Sequence, residues 1–333
     1  MSKVFAFGVG LANTNASGTV LDCLFPQPMI NPSDEFADAA RKFAAGTSTV
    51  DPAEVASANA ACGGQLVPGG LLEADQPLTV VNLAAEGPIE DTAQAYLKLH
   101  LLSHRLTLPN TLNLDGIFAH LPNLAWTSAG PIEPEALTDA LIQARARGEH
   151  LEVMAIDKFP KMVNYVMPSG VRIADASRIR LGAYLGEGTT VMHEGFCNFN
   201  AGALGPNMVE GRISQGVIIG EGTDLGGGAS TMGTLAGGGE IVITLGKHCL
   251  IGANAGTGIP LGDRCTIEAG LYITAGTVVT VVDEEGQEVR KVKARELAGG
   301  SDMLFIRNSL NGQIICRTNR KAIALNEALH AHN

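Results

Sequence analysis

The chain has 333 residues, 45% hydrophobic and 17% charged, a balance that suits a folded protein with room for two domains and excludes a disordered one. A formal net charge of −11 argues against nucleic acid as the main partner, while leaving room for a local cationic cluster that holds an anionic small molecule. No apolar run reaches the ~18 residues of a membrane span.

The start, Met1-Ser2-Lys3-Val4-Phe5, lacks the apolar core of a signal peptide. The six cysteines contain no C-x-x-C pair and read as reduced thiols. A cytoplasmic protein without membrane contact is the expectation.

Residues 1–165 read as a mixed α/β domain. Strands are expected over 4–8 and 19–25, joined at Asn13-Thr14-Asn15. Ser33-Asp34-Glu35 caps a helix running to about Ala45, and Asp51-Pro52 opens a second. A buried strand follows over 78–83. A helix over 90–106 places Ala93, Tyr96, Leu97 and Leu101 on one face, with His100 among them as a core-edge histidine. Another helix covers 134–147, and a strand 151–156. Gly8-Val9-Gly10 lacks the third glycine and the following helix of a dinucleotide loop, and Cys62-Gly63-Gly64 reads as a helix stop. This domain carries no chemical motif of its own.

Residues 166–280 follow a different rule. Branched aliphatics recur every six residues at Ile173, Ile179, Leu185 and Val191, then at Ile219 and Leu225, Leu245 and Ile251, and Leu261, Ile267, Ile273 and Val279. Glycine often follows directly, and a small side chain such as Ala183, Thr189, Cys249 or Cys265 comes four residues on. Six fits neither a helix nor an alternating strand; it fits a parallel β-solenoid of hexapeptides, each short strand carrying one inward aliphatic. With aromatics at 5% and 41 glycines, the composition suits such a narrow interior.

The repeat breaks over 203–215 and over 234–243, and shifts by four at Thr257-Gly258-Ile259-Pro260. Breaks in a solenoid are expected to emerge as loops that build a binding site. Over 281–333 the pattern turns to hairpins, one around 283–287 and one around Asn311-Gly312, suited to capping the last coil.

Three features carry possible chemistry. His193, in Met192-His193-Glu194-Gly195-Phe196, is either a general base or a corner histidine bonded to a carbonyl. Glu210 lies in the first break beside Gly211 and Arg212. It is either a nucleophile or base next to an anion-binding guanidinium, or one half of a solvated pair. Arg290, Lys291, Lys293 and Arg295, with Arg307 beyond, form a basic cluster that suits phosphate or marks a charged hairpin edge. His193 and His248 are too few for a three-histidine zinc site.

Taken together, several runs resemble the tetrahydrodipicolinate N-succinyltransferases of the actinobacterial and pseudomonad type. They are Met192-His193-Glu194-Gly195-Phe196 with Asn198-Phe199-Asn200, Met208-Val209-Glu210-Gly211-Arg212-Ile213-Ser214, Gly226-Gly227-Gly228-Ala229-Ser230, Ile267-Glu268-Ala269-Gly270-Leu271-Tyr272 and Lys293-Ala294-Arg295-Glu296-Leu297. The resemblance runs from about Asp157 to Ala324-Leu325-Asn326-Glu327 and is loose before it.

It implies a mainly β protein: a left-handed parallel β-helix of hexapeptide repeats, with an N-terminal α/β domain and C-terminal β-hairpins, in a homotrimer with sites between neighbouring prisms. It implies succinyl transfer from succinyl-CoA, the co-substrate, to the amine of ring-opened tetrahydrodipicolinate in lysine and diaminopimelate biosynthesis. The acyl-anhydride residue falls on Glu210. Succinyl-CoA contacts fall on Arg212, Gly227, Ser230, Ala253, Glu268, Ala269, Gly276, Lys293, Ile306, Arg307, Asn308 and Ser309. A Mg²⁺ ligand shared around the trimer axis falls on Glu194. Where relatives carry Asp-Ala-Asp, this chain has Asp175-Ala176-Ser177, which removes one hard oxygen anion. The alternatives are another CoA-dependent N-acyltransferase using His193, and a non-catalytic solenoid scaffold.

Overall fold

The structure is a computed structural model that describes residues 3–233 and 241–318. The chain divides into two compact units, one of Met1–Thr107 with Thr111–Val166, the other of Leu108–Asn110 with Met167–Asn333.

In the first unit four antiparallel strands run in the order Val20–Leu24, Ala6–Thr14, Leu78–Leu83, Gly46–Val50, with Met29–Ile30 also paired to Ala6–Thr14. Gly8-Val9-Gly10 lies in the middle of a strand, not at a helix start. Phe7, Val9, Val55, Leu66, Leu78 and Val80 form part of the core.

The helix expected from Ser33 to about Ala45 ends at Ala40, and the Ser33 side chain makes no capping bond. Asp51 does cap its helix, accepting from the Ala53 N–H. Helix Thr92–Ser103 is buried on every side and not along a stripe. That includes Lys98, whose ammonium donates to the carbonyls of Gly87 at 2.6 Å and Asn113 at 2.7 Å and to Glu86 at 3.1 Å, the full set of partners a buried cation requires.

In the second unit successive coils lay one short strand on each of three parallel sheets. The first contains Ala183–Leu185, Ala201–Ala203, Ile218–Ile219 and Thr244–Leu245. The second runs from Arg172–Ile173 through Thr189–Val191, Asn207–Val209, Asp224–Leu225, Leu250–Ile251 and Thr266–Ile267 to Met303–Arg307. The third holds Phe196–Cys197, Arg212–Ile213, Ser230–Thr231, Gly256–Thr257 and Tyr272–Ile273.

Register stacks like upon like inside the prism. Val191, Val209, Leu225, Ile251, Ile267 and Phe305 form one ladder, and Leu185, Ala203, Ile219, Leu245 and Leu261 another. Every one of these is buried, so the six-residue period is the signature of burial. The third ladder admits Thr231 and Thr257 because their hydroxyls donate to the Arg212 and Ile259 carbonyls, at 2.9 and 2.7 Å.

The break expected as a loop over 203–215 is instead a coil in register, with Val209 opposite Val191 and Arg212 opposite Phe196. What changes is one corner: Val209 to Ile213 spans four residues where Val191 to Cys197 and Leu225 to Thr231 span six. A corner can lose two residues while the strands on either side keep their partners. Residues 234–240 of the second break, Gly237-Gly238-Gly239 included, lie outside the described residues, as does Ala324-Leu325-Asn326-Glu327.

Beyond the coils, Val278–Val282 pairs with Glu288–Lys293 and Met303–Arg307 with Ile314–Thr318, both antiparallel. The second hairpin continues the second sheet, Phe305 standing opposite Ile267. Its connection is wider than the two residues Asn311-Gly312. Asn308 N–H donates to the Gln313 carbonyl at 2.8 Å, and the Asn308 side chain accepts from the Leu310 N–H at 2.9 Å.

Candidate active site

The corners joining the second sheet to the third stack along one edge of the prism, and the shortened one carries Glu210. Its backbone is tied both ways: its N–H donates to the Leu225 carbonyl at 2.9 Å, and its carbonyl accepts from Gly228 at 3.2 Å. Gly211 is required by close approach, since a Cβ there would stand 2.4 Å from the Ala229 carbonyl oxygen. The half-buried Glu210 carboxylate faces Gly227, with one oxygen 3.9 Å from where a Cβ of Gly227 would sit. A fixed backbone, a bare glycine opposite and a tight turn leave this carboxylate accessible.

Two residues on, Arg212 points out from the third sheet, and its Nη2 donates to the Ser230 Oγ at 3.0 Å, one rung along. The Ser230 Oγ also accepts from the Tyr272 hydroxyl at 3.4 Å. Tyr272, the last residue of the Ile267-Glu268-Ala269-Gly270-Leu271-Tyr272 run, thus stands beside Ser230.

Gly227, Ala253, Glu268 and Ala269 continue the Glu210 edge. Asn254 donates to the Gly227 carbonyl and Gly270 to the Ala253 carbonyl, both at 2.8 Å. Ala253, Glu268 and Ala269 are exposed. The Glu268 carboxylate accepts from the Arg307 N–H at 2.8 Å, which carries Ile306, Arg307, Asn308 and Ser309 to the same edge from across the hairpin.

Gly276 and Lys293 sit together at another corner, where Ala294 donates to the Thr277 carbonyl at 2.8 Å. Among the described residues, no hydrogen bond joins this pair to Glu210 or Arg212. Gly276 is exposed, and neither φ nor a close neighbour requires glycine there. Of the basic cluster, Lys291 pairs with Glu288 at 3.5 Å, and Arg290, Lys293 and Arg295 are exposed.

Glu194 and His193 lie exposed on the corner one coil before Glu210. Arg178 fixes that corner, donating to the Glu194 and Gly195 carbonyls, each at 3.0 Å, and leaves the Glu194 carboxylate free to point outward. Asp175 accepts from the Ser177 N–H at 2.9 Å and hydroxyl at 2.6 Å. These bonds, with smaller help from Arg178 and His193, hold its carboxyl below the usual range. Among the described residues, no group of three or more His, Cys, Asp or Glu is placed to hold a metal ion.

Away from the edge, all six cysteines are free and buried. No helix among the described residues is long and apolar enough to cross a membrane.

The stacked six-residue coils define a hexapeptide-repeat protein. Residues 242–275 match the family described as the hexapeptide repeat of succinyl-transferase, and 121–161 that described as the tetrahydrodipicolinate N-succinyltransferase middle. The chain is 54% identical to the 2,3,4,5-tetrahydropyridine-2,6-dicarboxylate N-succinyltransferase of Pseudomonas putida, over 100% of this chain and 99% of that one. It is 51% identical to the enzyme of that name from Vibrio cholerae, over 99% of each. A Campylobacter jejuni crystal structure described as a 2,3,4,5-tetrahydropyridine-2-carboxylate N-succinyltransferase superposes with a TM-score of 0.87 at 31% identity, covering 97% of this chain and 94% of that one.

The chain belongs to the tetrahydrodipicolinate N-succinyltransferase family, and its coil is the left-handed parallel β-helix. The kinship covers the whole length, N-terminal unit included, and is not confined to the part after Asp157.

Proposed function

We propose that this protein transfers the succinyl group of succinyl-CoA to the amine of ring-opened tetrahydrodipicolinate, giving N-succinyl-2-amino-6-oxopimelate and CoA in lysine and diaminopimelate biosynthesis. Membership of the family supports the reaction. The observation that carries the chemistry is the accessible Glu210 carboxylate on the shortened corner, whose backbone is hydrogen-bonded both ways, with the bare Gly227 opposite and Arg212 two residues away.

In this reading a Glu210 oxygen attacks the thioester carbonyl, the C–S bond breaks, and CoA leaves as the thiolate. The acceptor amine then attacks the acyl anhydride, the new C–N bond replaces the C–O bond, and Glu210 returns as carboxylate while a base takes the amine proton. Arg212 orients the donor as a fixed cation. Gly227, Ser230, Ala253, Glu268, Ala269 and the 306–309 run form the CoA path along the edge. Gly276 and Lys293 join it from a neighbouring copy, which a homotrimer with sites between prisms supplies. A division at 1–165, 166–280 and 281–333, and a place in the cytoplasm, belong to the same reading.

The test is thiol release from succinyl-CoA, with mass spectrometry of the protein quenched without acceptor. Wild type releases thiol with acceptor present and shows a succinyl adduct on the peptide bearing Glu210. Glu210→Gln shows no adduct and loses at least about a hundredfold in turnover. Near-wild-type turnover in Glu210→Gln removes Glu210 from the mechanism, and a better rate with acetyl-CoA removes the succinyl specificity.

A further inference from the structure

The outward row of the third sheet reads Phe196, Arg212, Ser230, Gly256, Tyr272, one residue per coil in direct register. Ser230 and Tyr272 are thus two rungs apart, about 10 Å along the sheet. They nevertheless touch, the Tyr272 hydroxyl standing 3.4 Å from the Ser230 Oγ. The ring reaches that far only by lying flat across Gly256, where an added Cβ would stand 2.3 to 2.7 Å from three ring carbons. Gly256 has no left-handed φ to explain it. Its missing side chain is the clearance for the ring.

The consequence falls on Ser230. Its Oγ accepts from Arg212 at 3.0 Å and from Tyr272 at 3.4 Å, so both lone pairs are engaged. The hydroxyl's own hydrogen is left to point away from both, and among the described residues no acceptor takes it. Arg212 spends one N–H on Ser230 and keeps the others. The pair therefore presents donors only, a surface that fits a carboxylate.

We propose that Tyr272 is a positioning residue, which through Ser230 sets Ser230 and Arg212 as a donor fork for a substrate carboxylate. Both substrates of the proposed reaction offer a carboxylate, the succinyl group one at its far end and the acceptor two on its carbon chain. This inference rests on the succinyl-transfer reading. Failure of that reading appears in the wild type as no thiol release, before any variant is made.

The experiment is steady-state kinetics of wild type, Tyr272→Phe, Ser230→Ala and the double variant, varying succinyl-CoA and acceptor in turn. Tyr272→Phe keeps the ring over Gly256 and removes only the hydroxyl. Because the bond is long, its loss stands at the low end for one neutral hydrogen bond, so the KM of one substrate rises about two- to fivefold with kcat within about twofold. The substrate whose KM rises owns the carboxylate. Ser230→Ala raises the same KM further, and adding Tyr272→Phe to it changes nothing more, since Tyr272 acts through that hydroxyl. Gly256→Ala, which pushes the ring off the sheet, moves the same KM. The proposal is overturned if Tyr272→Phe leaves both KM values unchanged, if only kcat falls, or if the two substitutions add.

Discussion

His100 shows how far a single side chain can be fixed by its surroundings. It is fully buried, its Nδ1 2.7 Å from the Tyr96 carbonyl and its Nε2 accepting from the Phe25 N–H at 3.2 Å. A carbonyl only accepts and an amide N–H only donates, so the ring is the neutral Nδ1–H tautomer. Burial pushes its pKa down from 6.5 to about 3, far outweighing the Tyr96 carbonyl.

A histidine with a depressed folded pKa is neutral in both states above 6.5, and below it takes up a proton only on unfolding. Its stabilising contribution is whole above 6.5 and is lost as pH falls from there toward about 3. From pH 7 to pH 5 the loss is about 2 kcal/mol. Urea unfolding at the two pH values should show it in the wild type and not in His100→Gln, whose amide keeps one donor and one acceptor. Equal slopes in both proteins rule the assignment out; His104, also depressed by burial, contributes to both and cancels.

At this scale the sequence was readable where a residue's neighbours in the chain are its neighbours in space. Glu210, Gly211 and Arg212 stand together in both. Tyr272 does not: its partner is 42 residues away, and the glycine between them takes on meaning only once the rungs are stacked.

Among elements, the coil was legible and its short corner was misread. The aliphatics at Leu185, Ile219, Leu245 and Leu261 mark one ladder because each repeats the same burial. Ala203, Cys197, Thr231 and Thr257 hold equivalent positions without an aliphatic. They pass unnoticed because the interior tolerates a small thiol or methyl, and a hydroxyl that finds a carbonyl. The same ruler turned 203–215 into a loop when the spacing fell to four, although strand register had not changed.

This makes the corner separable from the fold. Inserting two residues between Glu210 and Gly211 restores a spacing of six, like the corners on either side. The expected variant keeps its far-ultraviolet circular dichroism and melts within about 5 °C of wild type, a shift of at most about 3–4 kcal/mol for a chain this size. Succinyl-CoA-dependent thiol release falls by at least about a hundredfold, because the carboxylate no longer sits opposite Gly227. A folded insertion variant with normal turnover would show that the short corner has no part in the reaction.

For the whole molecule, the proposed homotrimer gives Glu194 a testable part. Glu194 offers one exposed carboxylate on a corner that Arg178 holds rigid, and Asp175 is already occupied by Ser177. Mg²⁺ takes about six oxygen ligands in near-octahedral array, several of them water, and one exposed carboxylate with no second ligand holds it weakly. Three copies of Glu194 around a threefold axis would supply three anionic oxygens at one point. Without a cation the same three charges repel, so ion and trimer are expected to stabilise each other.

Sedimentation should give three times the 34.6 kDa of one chain. Stripping Mg²⁺ with a chelator should lower the melting temperature of the wild type and restoring it should reverse the loss. Glu194→Gln, which removes the charge and keeps the shape, should melt at one temperature with and without the ion, above that of the stripped wild type because the repulsion is gone. A wild-type melt indifferent to chelation and re-addition rules out the axial ion. A variant that still responds moves the ion away from Glu194.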